Sequence, residues 1–458
     1  MPSFDSHALA QWTNGNWIGT LPERISGFCF DARLIKPGQC FVALNCGAGD
    51  GHNYIEQAAQ GGAVAALVEQ EQTLSLPQLK VPNTLDALGE IARAIRGNFN
   101  KPVIAVTGSC GKTTTKDMLR IVLGESVTHA TEGNWNNRIG VPMTLFNLEA
   151  KKQDFAVIEA GINQPGEMAL LGKMIHPNLN ILTNIGAAHL ELLGTVDNVA
   201  SEKSLLVQYA SENSPVILTA DSFGFPAYRA LAERAIVLLL EGQTKPSLPV
   251  KSIVYYALCA DQKGNQIVTI DQHSYTIACP SIGIATNAAL AIVAARTLGI
   301  TVTDIRERIE SWRPSGHRGC TQKADSQAFY IDCYNANPSS MIDALDAFDH
   351  SATEDTDRYY ILGAMNELGE SAIEHHINIG EQLTLRPQDS AVFVGPDLLT
   401  KAYQDGALKA GAHADQLQRV ENVKKITSSV ALYKGAIFLK GSRSYHLEEL
   451  IPESIQNS

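Results

Sequence analysis

Apolar residues in this chain fall into short continuous runs, each released into polar or glycine-rich residues, and helical patterns fill the intervals. Val103-Ile104-Ala105-Val106, Phe155-Ala156-Val157-Ile158 and Asn180-Ile181-Leu182 are such runs. Continuous rather than alternating hydrophobicity suits strands covered on both faces, which predicts a buried parallel sheet with crossover helices. Upstream, Gln39 to Leu44 and Ala63 to Val68 read as strands on either side of a helical Tyr54 to Ala59. Downstream, turn-like residues at Trp312-Arg313-Pro314-Ser315-Gly316 precede another αβ series that opens with Phe329 to Asp332 and closes with the strand Ala436 to Leu439. The fold class expected is therefore α/β with three domains: a small N-terminal α/β domain over 1–100, a central P-loop domain with a mainly parallel sheet over 101–314, and a C-terminal Rossmann-like α/β domain over 315–458.

Size and composition agree with several packed cores. The 458 residues are 45% hydrophobic and 18% charged, so large sheets can be buried and no stretch is depleted enough for disorder. A net charge of -12 argues against a nucleic-acid partner, and any anionic ligand must be met by local positive groups. Cys29, Cys40, Cys46, Cys110, Cys259, Cys279, Cys320 and Cys333 form no Cys-x-x-Cys pair and read as reduced thiols. With no leader-like N-terminus and no apolar run of bilayer length, the expected location is cytoplasmic, without membrane insertion. Gly47-Ala48-Gly49-Asp50-Gly51 lacks dinucleotide-fingerprint spacing and reads as a turn.

The chemistry concentrates where the central strands end. Val106 runs into Thr107-Gly108-Ser109-Cys110-Gly111-Lys112-Thr113-Thr114, a strand, a glycine-rich turn and a helix start. Backbone N–H groups there can cradle phosphate, Lys112 can reach its terminal oxygens, and the Thr113 hydroxyl can hold Mg²⁺. The turn has a short Gly-x-x-Gly-Lys-Thr form. Glu159 directly follows the second strand, while Asn184 and His189 follow the third. Ligands of open parallel sheets bind outside the carboxyl ends of strands, which places Lys112, Thr113, Glu159 and His189 around one crevice.

Six segments occur in a recognisable order. They are the phosphate-loop segment, Thr131-Glu132-Gly133-Asn134-Trp135-Asn136-Asn137-Arg138, Glu159-Ala160-Gly161-Ile162-Asn163, Asp332-Cys333-Tyr334-Asn335-Ala336-Asn337-Pro338, Leu362-Gly363-Ala364-Met365-Asn366-Glu367-Leu368-Gly369, and Lys440-Gly441-Ser442-Arg443. In this order they resemble the Mur ligases, and the last three resemble the member that extends a UDP-linked muramoyl tripeptide. The resemblance implies an ATP-dependent amide ligase of peptidoglycan precursor synthesis. Its partners are UDP-N-acetylmuramoyl-tripeptide and D-alanyl-D-alanine, its cofactors ATP and a pair of Mg²⁺ ions, and it acts as a monomer.

The resemblance also assigns residues. Gly108, Ser109, Gly111, Lys112, Thr113 and Thr114 hold the phosphates, while Thr113, Glu159, His189 and a carbamylated Lys203 are metal ligands. Asn287 touches adenine, although glycine and isoleucine stand at 283 and 284 where histidine and asparagine are usual. Arg318, Asp332 and Tyr334 reach the nucleotide from the linker and third domain. Asn134, Asn136 and Asn137 line the substrate channel, with turn-making as their plain alternative. Arg33, Asp50 and His52 serve the UDP end, although Ala32 replaces a usual serine, and Lys440 and Arg443 take substrate carboxylates or phosphate. Ala364, where aspartate is usual, removes an acidic role. A P-loop kinase or GTPase, a nucleotide-dependent scaffold and the sister ligases that add a third residue or polyglutamylate folate are the competing readings.

Overall fold

The structure, a computed structural model, describes residues 3–45, 49–352 and 355–456. The strands form three sheets. The first has five in the order Asn16–Ile18, Gln78–Lys80, Ala65–Val68, Cys40–Val42 and Phe28–Cys29, parallel except at the Asn16–Ile18 edge. Residues 46–48, which carry part of the expected glycine turn, lie outside the described residues; Gly51–Tyr54 is a 3₁₀ turn capped by Asp50.

The second sheet has nine strands. Thr128–Ala130, Phe155–Glu159, Val103–Thr107, Leu179–Leu182, Val216–Thr219, Ala235–Leu240 and Ser252–Ala260 lie side by side in parallel. Gln266–Ile270 and His273–Ile277 then extend the edge as an antiparallel hairpin through Asp271 and Gln272, both at positive φ. Register explains the converging chemistry, because Val106 pairs with Glu159 and Thr107 with Leu182. The strand ends that carry the phosphate loop, Glu159 and Thr183 are thus level with one another. Helix Lys112–Leu123 packs beneath them against Ile282–Thr297, a helix apolar on nearly every side and therefore enclosed.

The third sheet orders Cys320–Ala324, Gln327–Asp332, Gly435–Lys440, Arg358–Gly363, Ser390–Val394 and Leu417–Val420, antiparallel only at its first pair. Apolar clusters cover both of its faces. Helix Pro338–Ser351 begins with a capping box, Asn337 accepting the Ser340 N–H at 2.9 Å and Pro338 occupying the first turn. Among the described residues no helix is long and apolar enough to cross a membrane.

Candidate active site

The phosphate loop is built by two glycines. Gly111 has φ +77° and is the N-cap of helix Lys112–Leu123 without any side-chain cap, so its first N–H groups face outward. A Cβ on Gly111 would stand 2.5 Å from Asn287 Nδ2, and one on Gly108 would strike Thr183 Oγ1. The loop is braced from the next strand: Ser109 N–H donates to the Asn184 carbonyl at 3.0 Å and Cys110 N–H to Asn184 Oδ1 at 2.9 Å. Lys112 Nζ donates to the Gly108 carbonyl at 2.9 Å, and burial pulls its pKa down while the nearby Glu159 opposes that shift.

Glu159 is 1% exposed. Asn136 Nδ2 donates to its Oε1 at 2.7 Å, whereas Oε2 is buried with no hydrogen-bond partner. His189 Nδ1 lies 2.6 Å from Glu367 Oε2, and the imidazole holds the Glu367 carboxyl below its ordinary pKa. Lys203 is 0% exposed and its Nζ has no partner. Burial drives its pKa well below that of an ordinary lysine, and the charge of Lys112 pushes the same way. Among the described residues no three His, Cys, Asp or Glu side chains cluster as a ready metal cage.

A cleft of about 940 Å³ between the second and third sheets gathers most of the expected residues. Ser109, Gly111, Lys112, Thr113, Thr114, Asn134, Asn136, Asn137, Glu159, His189, Asn287, Arg318, Asp332, Tyr334, Lys440 and Arg443 all line it. Gly108 and Lys203 do not, and neither do Arg33, Asp50 and His52, which belong to the first sheet's domain. The Arg318 guanidinium lies 3.6 Å over the Tyr334 ring, with Arg443 at 5.7 Å.

Several of the expected residues also have partners within the chain. His52 is engaged at both ring nitrogens: its Nδ1 is 2.6 Å from Asp50 Oδ1 and its Nε2 accepts the Glu69 N–H at 2.9 Å. Asp50 and His52 thus hold a turn together, and Arg33, the exposed member of the trio, pairs with Asp31 at 2.7 Å. Lys440 is not a free cation, because it is 1% exposed and ion-paired with Asp332, whose carboxylate is engaged in turn. Asn137 accepts the Gly140 N–H at 2.9 Å, which is the turn role open to it from the start. Among the cleft residues given no role in the sequence are two carboxylates that reach across to the second domain, Glu367 and Asp343. Glu367 lies inside the Leu362-to-Gly369 segment and could have been found there; Asp343 carries no local signal.

Known proteins place this arrangement. The Mur ligase middle domain matches residues 106–295 and the Mur ligase glutamate ligase domain matches 319–443. The chain belongs to the Mur ligase family. A UDP-N-acetylmuramoyl-tripeptide–D-alanyl-D-alanine ligase of Treponema pallidum is 30% identical to it, with 93% of each chain covered. Among solved structures, MurF from Acinetobacter baumannii superposes with a TM-score of 0.85 at 28% identity, covering 100% of this chain and 99% of that one. MurF from Thermotoga maritima in complex with ADP gives 0.77 at 26% identity, covering 92% and 95%.

Proposed function

We infer that this protein is the ATP-dependent ligase that joins D-alanyl-D-alanine to UDP-N-acetylmuramoyl-tripeptide during peptidoglycan precursor synthesis, acting as a cytoplasmic monomer. The observation that carries the reading is the cleft in which an uncapped phosphate-loop helix faces Arg318 and Arg443. A carboxylate is a poor electrophile, so the tripeptide carboxylate takes the γ-phosphoryl group, becomes an acyl phosphate, and loses phosphate when the dipeptide amine attacks. The amine must shed a proton as the amide forms.

Lys112 and the loop N–H groups hold the phosphates as charge develops, and Arg318 approaches from the linker. The loop fits a phosphate because helix Lys112–Leu123 starts at Gly111 with no side-chain cap, which leaves its first N–H groups for an anion. Mg²⁺ would fit the donor set at Thr113 and Glu159, whose Oε2 is buried and unpartnered, with His189 and, once carbamylated, Lys203 completing it. Such ions neutralise phosphate charge during transfer. Asn136 holds the Glu159 carboxylate so that its other oxygen stays open. Enclosure by the third domain keeps water from the acyl phosphate until the amine arrives.

The test measures ADP release with ATP, UDP-muramoyl tripeptides bearing diaminopimelate or lysine, and D-alanyl-D-alanine. Release is expected only when tripeptide and dipeptide are both present, with the dipeptide incorporated in equal amount. Release driven instead by glutamate or by a single D-amino acid would overturn the reading.

A further inference from the structure

Asp343 sits on helix Pro338–Ser351 of the third domain and touches the second. Its Oδ2 accepts the Ser281 hydroxyl at 2.6 Å and its Oδ1 accepts the Gly283 N–H at 2.7 Å. Ser281 is the N-cap of helix Ile282–Thr297, and its own Oγ accepts the Ile284 N–H at 2.9 Å. Unsatisfied N–H groups and the helix dipole make such a terminus attractive to an anion. Here the anion belongs to another domain.

The fit is close enough to dictate the residue opposite. A Cβ on Gly283 would stand 2.8 Å from Asp343 Oδ2 and 3.1 Å from Oδ1. Only glycine allows the carboxylate this approach, which gives a physical reason for glycine where the family resemblance leads one to expect histidine. Four residues further along the same helix, Asn287 packs its amide against Gly111 of the phosphate loop. On the other side, the helix that carries Asp343 starts at Pro338, directly after Tyr334, Asn335, Ala336 and Asn337, which line the cleft. A continuous line of contacts therefore runs from the cleft wall of the third domain through Asp343, Gly283 and Asn287 to the loop that holds phosphate.

We propose that Asp343 is a positioning residue that latches the third domain to the helix bracing the phosphate loop, so that docking of that domain and the set of the loop are coupled. It touches no reacting atom and acts through Gly283, Ser281 and Asn287. Burial raises the Asp343 pKa, and the Ser281 and Gly283 donors oppose that shift, as a carboxylate held by a matched pair of donors requires. The coupling to catalysis rests on the ATP-dependent ligase reading above; the latch itself does not.

Both parts can be measured on the full chain. Asp343→Ala should lower kcat/KM for ATP by about tenfold or more, the scale of lost charge-assisted hydrogen bonds, with most of the loss in KM. Asp343→Asn, which keeps an acceptor for the Gly283 N–H, should recover part of it. Gly283→Ala should cause a comparable loss alone and none beyond it in the Asp343→Ala background. Wild-type kinetics for Asp343→Ala, or losses from the two substitutions that simply multiply, would overturn the latch. Amide exchange supplies a readout independent of substrate. The Gly283 N–H should be protected in the wild-type chain and lose protection in Asp343→Ala, and equal protection would refute the contact. A wild-type chain that releases no ADP with tripeptide and dipeptide defeats the ligase reading, and the exchange experiment then still decides the latch.

Discussion

Lys203 presents an electrostatic problem whose solution can be measured. Its Nζ is enclosed with no hydrogen-bond partner, and its helix, Val196–Gln208, turns Val199, Ala200, Leu206 and Val207 to the same buried side. An unpaired ammonium there would cost several kcal/mol. A neutral amine avoids the charge but still leaves its N–H groups unsatisfied, at about 1–3 kcal/mol. Reaction with CO₂ replaces the ammonium by a group that can be paired: the amine nitrogen bonds carbon, a proton leaves, and the resulting carbamate is an anion that the charge of Lys112 favours and that has oxygens to offer a metal. The unprotonated amine that this reaction needs is the form burial favours. We therefore expect ADP release to fall in CO₂-stripped buffer and to return with bicarbonate. ¹³C-labelled bicarbonate should give a carbamate resonance that Lys203→Met abolishes. Methionine nearly matches the volume and brings no charge, so that variant should keep its stability to within about 1 kcal/mol while losing activity by a hundredfold or more, on the order of what a charge-stabilising group contributes. In Lys203→Ala, acetate should restore part of the rate by occupying the vacated space. Full activity in Lys203→Met, or turnover indifferent to CO₂ in a chain without the resonance, would refute the reasoning.

Lys112→Ala should abolish ADP formation, a barrier increase of about 3–5 kcal/mol, with an unchanged circular dichroism spectrum; near-normal turnover by the folded variant would remove Lys112 from the phosphates. His376 predicts a pH effect on stability. It is fully buried, its Nε2 accepts the Met365 N–H at 3.0 Å, and burial lowers its pKa from 6.5 to about 4. As pH falls, the unfolded chain takes up the proton first, so stability held above pH 6.5 should be lost progressively toward about 4, by roughly 3 kcal/mol at the limit. Urea unfolding followed across that range should show the loss, and His376→Leu should flatten it; the same slope in both chains would refute the assignment.

What could be read from the sequence was what is local. Val103–Thr107, Phe155–Glu159 and Leu179–Leu182 announce themselves because buried parallel strands are continuous apolar runs. Gln266–Ile270 and His273–Ile277 escape notice because the alternation is broken, with polar Gln266 on the buried face and apolar Ile267 on the other, and because the turn between the strands contains no glycine. The phosphate loop is legible as one segment. By contrast, Asp343 acquires its role from donors 60 and 62 residues away, and Lys440 its partner from 108 residues away. No window of sequence contains those pairings. Lys203 falls between the two cases: its spacing from Val199 and Leu206 places it on the apolar stripe of its helix, so its burial was legible while its missing partner was not.

The three domains are joined in two different ways, and this difference determines what can move. One apolar cluster runs without interruption from Phe4 and Leu9 through Leu88 and Ile91 to Ile158, Met168 and Leu206, fusing the first sheet's domain to the second. Arg96 reinforces the seam through the Ile175 carbonyl at 2.8 Å and Asn178 Oδ1 at 2.9 Å. Separating these domains would expose hydrocarbon, which water does not compensate. The third domain shares no such core with the second: Ala187 packs against it, and the polar contacts are Glu367 on His189, the Glu367 carbonyl on the Glu191 N–H at 3.1 Å, and Asp343 on Ser281 and Gly283. Water can replace each of those polar partners, and salt screens the charged ones, so this interface can open at modest cost. A ligase with a hydrolysable intermediate needs both properties, closure while the acyl phosphate lives and release afterwards. Carboxylates that dock on donors of the second domain provide closure without the permanence of a shared core.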